Sequence, residues 1–200
     1  MTQRETSSMA DGGTILLAQA AANALLIEGA DVRLVAESRL RIAKLQILAA
    51  DPDAWFEQAL GIAPPSVLTE IEPGPVAIAW MAPGEWLVTG DEADVERVRL
   101  RCAEAAGNLG LMVDITPARA VFELSGAAAR SVLAAHCPLD FGDQAMPVGA
   151  AKRSTFSDTG FFISRRSDRD GQPRFRLIFD QTMAGYAERL LGPTIAGAAL

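Results

Sequence analysis

Apolar and polar residues alternate from Arg41 to Leu48, with Leu45 and Ile47 on one side and Lys44 and Gln46 between them. This is the period of a half-buried strand. Asp51-Pro52 then offers a helix N-cap and a first-turn proline. Trp55, Phe56, Ala59 and Leu60 fall on one helical face, and Gly61 closes the element ahead of Ala63-Pro64-Pro65. From Pro75 the period returns to two: Val76, Ile78 and Trp80 alternate with small residues. Ala82-Pro83-Gly84-Glu85 supplies a type II turn, and Trp86-Leu87-Val88 runs back so that Trp80 and Trp86 face each other. Asp91 or Asp94 caps a helix whose stripe is Val95, Val98, Cys102 and Ala105, ending at Gly107.

The second half repeats this grammar. Leu111 to Thr116 and Arg119 to Leu124 read as strands joined tightly at Pro117, and Gly126 to Ala135 as a short helix running into a Cys137-Pro138-Leu139-Asp140 turn. Ala150 to Phe156 and Phe161 to Arg166 are strands around the turn Ser157 to Gly160, and Phe175 to Phe179 is a third. Between them, Ser167 to Pro173 reads as a charged, solvated tip crowded by Arg165, Arg166, Arg169, Arg174 and Arg176. Asp180 caps a last helix carrying Met183, Tyr186, Ala187, Leu190 and Leu191, which Gly192-Pro193 should stop. The pattern predicts an α+β chain, a two-lobed body of mainly antiparallel sheets covered by helices. Its expected lobes span about 30–105 and 106–192 of one unit, 14–200.

The first residues read differently. Residues 1–13 are expected to be a disordered tail, and Ile15 to Ile27 a packed helix. Arg4 is opposed by Glu5 and Asp11, so the leader lacks a positive n-region. Gln19, Asn23 and Glu28 leave the apolar stretch too polar to span a bilayer. Neither a signal peptide nor a membrane partner is expected.

Half of the 200 residues are hydrophobic and 22% are charged, which is ordinary globular usage with room for a core. The formal net charge of −7 disfavours a nucleic-acid partner. Cys102 and Cys137 are the only cysteines and His136 the only histidine, so no metal site is expected and both thiols read as reduced, in a cytoplasmic protein. His136-Cys137 invites a nucleophile reading, but sequence neighbours point to different sides of a helix or strand. Asp114 is open to two readings, a ligand-binding carboxylate or one that accepts backbone N–H bonds in the Asp-Ile-Thr-Pro turn. Arg119 suits either a carboxylate clamp or a solvated strand end. No dinucleotide, P-loop or nucleophile-elbow motif is present, and no catalytic residue is expected.

The ordered pieces Pro83-Gly84-Glu85-Trp86-Leu87-Val88, Val113-Asp114-Ile115-Thr116, Arg119-Ala120-Val121, Leu124-Ser125-Gly126, Cys137-Pro138-Leu139-Asp140-Phe141 and Pro147 to Gly149 resemble the gamma subunit of heterotetrameric sarcosine oxidase. That family is related to the folate-binding fold of the glycine-cleavage T-protein. The resemblance implies a non-catalytic subunit packed against a large alpha chain, with beta and delta subunits completing the complex. FAD, FMN and NAD would be held by the partners, and tetrahydrofolate would be a co-substrate of the whole. It makes Trp86, Arg119, Cys137, Pro138 and Asp140 the candidates for subunit contact, and Asp114 the one weak candidate for folate. A stand-alone folate-binding protein or aminomethyltransferase-like enzyme is the alternative. Ser157-Asp158-Thr159-Gly160 keeps a glycine where the folate-binding relatives have a glycine-containing loop, but it places acid where they carry a basic residue.

Overall fold

A computed structural model describes residues 24–105, 107 and 109–197. Among these residues eleven strands form two antiparallel sheets, and four α-helices cover them. Sheet A has the order β1-β2-β8-β11-β10-β9: β1 Ala24–Glu28, β2 Arg33–Ala36, β8 Arg119–Ser125, β11 Gln172–Asp180, β10 Thr159–Arg169 and β9 Ala151–Phe156. Sheet B has the order β4-β5-β6-β3-β7: β4 Glu70–Ile71, β5 Ala77–Ala82, β6 Glu85–Gly90, β3 Arg41–Ile47 and β7 Gly110–Asp114.

The alternation along each strand sorts its side chains into layers. On β3, Ala43, Leu45 and Ile47 pack with Trp55, Phe56 and Leu60 of α1 (Pro52–Leu60) and with Val95 and Cys102 of α2 (Glu92–Glu104). On β11, Phe175, Leu177 and Phe179 pack under Val132 and Leu133 of α3 (Ala129–Ala134) and Ala187, Leu191 and Ile195 of α4 (Ala184–Gly197). The opposite faces meet in a third core of Ile42, Ala79, Leu87, Val121, Ala151, Phe162 and Ile178. The order of layers is therefore α1 and α2, sheet B, sheet A, α3 and α4.

The expected α1 and the β5–β6 hairpin form as their sequences dictate. Asp51 Oδ1 accepts from the Ala54 N–H at 3.0 Å, and Gly61 ends the helix at φ 69°. Gly84 sits at φ +72° in the hairpin turn, where an added Cβ would lie 2.9 Å from the Ile47 carbonyl oxygen. Its own carbonyl takes the Ile47 N–H at 2.8 Å, tying the turn to the end of β3.

Four expectations are corrected. Residues 24–28 form a strand, because Gly29 to Val32 turn the chain back and β1 pairs with β2; the remainder of the expected helix and the tail 1–13 lie outside the described residues. The strands β7 and β8 do not pair with each other, since β7 lies against β3 in sheet B and β8 joins sheet A. Sheet membership therefore does not divide near residue 105: β2 belongs with β8, and β7 with β3. Helix α4 runs through Pro193 to Gly197 because burial of Leu191 and Ile195 outweighs the missing N–H, and Thr194 Oγ1 donates to the Leu190 carbonyl at 3.0 Å.

The arginine-rich hairpin is the fourth. Strands β10 and β11 continue to a tight turn at Asp170-Gly171, both at positive φ, and of the five arginines only Arg169 is exposed. Arg165, Arg176 and Arg166 are almost wholly buried. Arg166 bridges Glu70 at 2.6 Å and Glu72 at 3.1 Å, and Arg169 and Arg174 share Glu123 at 3.0 and 3.4 Å. Arg165 pairs with Asp168 and lies 5.1 Å from the Phe175 ring centre. Arg165, Arg166, Arg174 and Arg176, which read as solvated, instead hold acidic partners in buried or half-buried positions, while Arg169 and the tip from Ser167 to Gln172 are exposed as expected.

Candidate functional site

At the end that holds Arg166 and Arg176 the sheets are pinned together. Arg176 Nη1 donates to Thr89 Oγ1 of sheet B at 3.0 Å, the Glu70 N–H donates to the Gly149 carbonyl at 2.7 Å, and the Ala151 N–H to the Leu68 carbonyl at 2.8 Å. At the other end nothing comparable joins them among the described residues, and they part into a cleft of about 600 Å³. Its floor is apolar: Met81, Leu87 and Ile115 from one sheet, Phe162 and Ile178 from the other. Its rim carries Lys44, Glu85, Arg119, Arg153 and Asp180. Lys44 pairs with Glu85 at 2.9 Å and Arg119 with Asp180 at 3.1 Å. Thr182, through its hydroxyl and its N–H, holds the Asp180 carboxyl below the usual aspartate range, with Arg119 adding to the effect.

The sequence candidates do not gather in one place. Asp114 is exposed, and its Oδ1 accepts the Thr116 N–H at 2.8 Å, so its carboxylate closes a turn. Hydrogen bonding from Thr116 lowers its pKa, helped by Arg41. Thr116 Oγ1 in turn accepts the Ile42 N–H at 2.9 Å, which locks the turn to β3. Arg119 is the one candidate on the cleft rim. Pro138 and Asp140 are exposed in the loop after α3, where Asp140 Oδ1 accepts the Gly142 N–H at 2.7 Å.

Trp86 and Cys137 are corrected as contact residues. Trp86 is fully buried against Phe56, with ring centres 4.9 Å apart, and Cys137 is 5% exposed beside Ser154 Oγ at 3.5 Å. Neither side chain presents a surface to a partner. His136 turns away from Cys137. Its Nε2 lies 2.8 Å from Thr194 Oγ1, its Nδ1 3.5 Å from Ser157 Oγ, and its ring 4.9 Å from that of Phe156. Thr194 Oγ1 also donates to the Leu190 carbonyl at 3.0 Å, so this hydroxyl links the imidazole to the backbone of α4. Burial lowers the His136 pKa and raises that of Cys102 to about 11. No three His, Cys, Asp or Glu side chains gather to hold a metal ion among the described residues, and none of their helices is long and apolar enough to cross a membrane.

A model of the sarcosine oxidase gamma subunit family matches residues 46–192. The chain belongs to that family. Sarcosine oxidase subunit gamma from Arthrobacter sp is 29% identical over 130 residues, a match covering 64% of each chain. The chain thus spans slightly under two thirds of that relative's length. The gamma-family fold is also that of a chain in the heterotetrameric sarcosine oxidase from Corynebacterium sp. U-96, solved in complex with pyrrole 2-carboxylate. The TM-score is 0.72 at 18% identity, over 88% of this chain and 89% of that one. The cleft, which alternation alone does not reveal, arises from which strands stack across the two sheets.

Proposed function

We propose that this chain is the gamma-type subunit of a heterotetrameric sarcosine-oxidase-like complex, a non-catalytic part that packs against the large alpha subunit. The observation carrying this reading is the family match from residue 46 to 192, which takes in strands β4 to β11, helices α1 to α3 and most of α4, and leaves β1, β2 and most of β3 outside it. The complex oxidatively demethylates sarcosine to glycine and delivers the one-carbon unit to tetrahydrofolate. FAD, FMN and NAD belong to the alpha, beta and delta partners, all in the cytoplasm. Within this chain Asp114 is committed to the Thr116 turn and the carboxylates of the arginine hairpin are paired, which supports a structural role. The T-protein-type fold relation enters as ancestry of shape.

Co-expression with and without the partner subunits tests this. The chain is expected to co-elute with them in fixed ratio and to be required for a stable sarcosine-oxidising complex, while remaining colourless and inactive alone. Partner subunits that assemble and oxidise sarcosine equally well without it would overturn the assignment.

A further inference from the structure

Among the described residues strand β7 is the outermost of sheet B, and none of them pairs with its outer side. The Ile115 N–H donates to the Ile42 carbonyl at 2.9 Å, and the Leu48 N–H to the Leu109 carbonyl at 2.8 Å. These bonds set the phase: the odd positions bond to β3, and the N–H and C=O of Gly110 and Met112 point out along the free edge. The same alternation packs Met112 under the helices and puts Leu111 and Val113 on the face toward sheet A, beside Gln46 and Lys44. There they remain 55% and 45% exposed. Exposed Leu48 and Leu109 extend the apolar strip at one end, and Ile115 carries it into the cleft at the other. An unblunted apolar edge of this kind is a template for strand addition.

The cleft end has its own sign. Lys44 and Arg119 are matched by Glu85 and Asp180, but Arg153 is exposed with no acidic partner among the described residues. The rim is left with a surplus cation in a chain whose net charge is −7. A second copy answers this poorly. In an antiparallel β7–β7 pair centred on Met112 the one acid of the strand, Asp114, falls beside Gly110 of the other copy, and its carboxylate already accepts the Thr116 N–H.

Resting on the gamma-subunit reading, we propose that β7 is the docking edge for an extended segment of a partner subunit. That segment adds a strand to sheet B, covers Leu111 and Val113 with apolar residues at alternate positions, and brings a carboxylate to Arg153.

Amide exchange in the assembled complex, compared with the free chain, tests it directly. The Gly110 and Met112 amides are expected to slow about tenfold or more on assembly. Leu111→Lys with Val113→Lys should abolish co-assembly at unchanged melting temperature, and Arg153→Glu should weaken it about tenfold by placing like charge against the incoming carboxylate. Unchanged exchange at Gly110 and Met112 in the complex overturns the docking edge and leaves the subunit assignment standing, and so do variants that assemble like wild type. A free chain that dimerises through these same residues overturns it in favour of a second copy. A wild-type chain that joins no complex overturns both readings. Should the double lysine variant fail to fold, exchange in the wild-type complex decides alone.

Discussion

Arg176 of β11 reaches across the sandwich to Thr89 of β6, donating from Nη1 to the threonine hydroxyl at 3.0 Å while its Nε holds Glu37 at 2.9 Å. One guanidinium thus ties sheet A, sheet B and the segment between β2 and β3. The arginine side chain is 8% exposed and that of Glu37 13%, so the pair is shielded from the solvent screening that weakens surface bridges.

Arg176→Met is therefore expected to lower unfolding stability by about 3 kcal/mol, chiefly because Glu37 is left buried without a cation. Adding Glu37→Leu should recover part of the loss, since the orphaned charge is gone. Urea unfolding of the two single variants and the double variant measures the coupling. Additive losses would mean that the pair acts independently.

Gly126 governs the turn between β8 and α3. It sits at φ +125°, and a Cβ there would fall 2.2 Å from the Asp31 carbonyl oxygen, a backbone atom that cannot rotate aside. Gly126→Ala is expected to cost about 2 kcal/mol or more, as both strain and overlap must be relieved by moving the β1–β2 turn. Thermal unfolding reads the loss, and an unchanged melting temperature would contradict it.

His136 makes stability depend on pH. Burial lowers its folded pKa below the ordinary 6.5, so the unfolded chain binds the proton more readily. Stability from this group is complete above 6.5 and declines as pH falls from there through the folded pKa. Between about pH 7.5 and about pH 5, the wild-type urea midpoint should fall more steeply than that of His136→Asn. Parallel slopes would show that the imidazole contributes nothing.

The two thiols should be silent in the native state. Cys102 is 2% exposed and its pKa is pushed up to about 11, while Cys137 is 5% exposed. A disulfide reagent at about pH 8 is expected to label neither until denaturant is added. Fast labelling of Cys137 would reopen the nucleophile reading.

What the sequence disclosed follows from how local each cause is. Helix α1, with its Asp51 cap and Gly61 stop, and the Trp80–Trp86 hairpin are written in neighbouring residues, and both form. The partner of a strand is not. Val113 pairs with Lys44, and Leu34 with Leu124, at separations that no periodicity carries. The arginines of β10 and β11 mislead for a related reason. Their mates Glu37, Glu70, Glu72 and Glu123 lie far off in the chain, so a buried network reads locally as a solvated tip. The cleft inherits the same opacity, since Lys44 and Arg153 come to line one cleft only after both sheets have stacked.

The exchange of strands between the halves also sets an order of events during synthesis. Arg33 to Ala36 of β2 must wait for Phe122 to Ser125 of β8, and β8 for Arg119's partner Asp180 near the end of the chain. Sheet B likewise gains its last strand only when Gly110 to Asp114 has emerged. Sheet B, which is contiguous from Arg41 to Asp114, can therefore close first, whereas β1 and β2 must wait for β8 of sheet A. A chain released before β8 to β11 would expose the edges of β1 and β2 to aggregation.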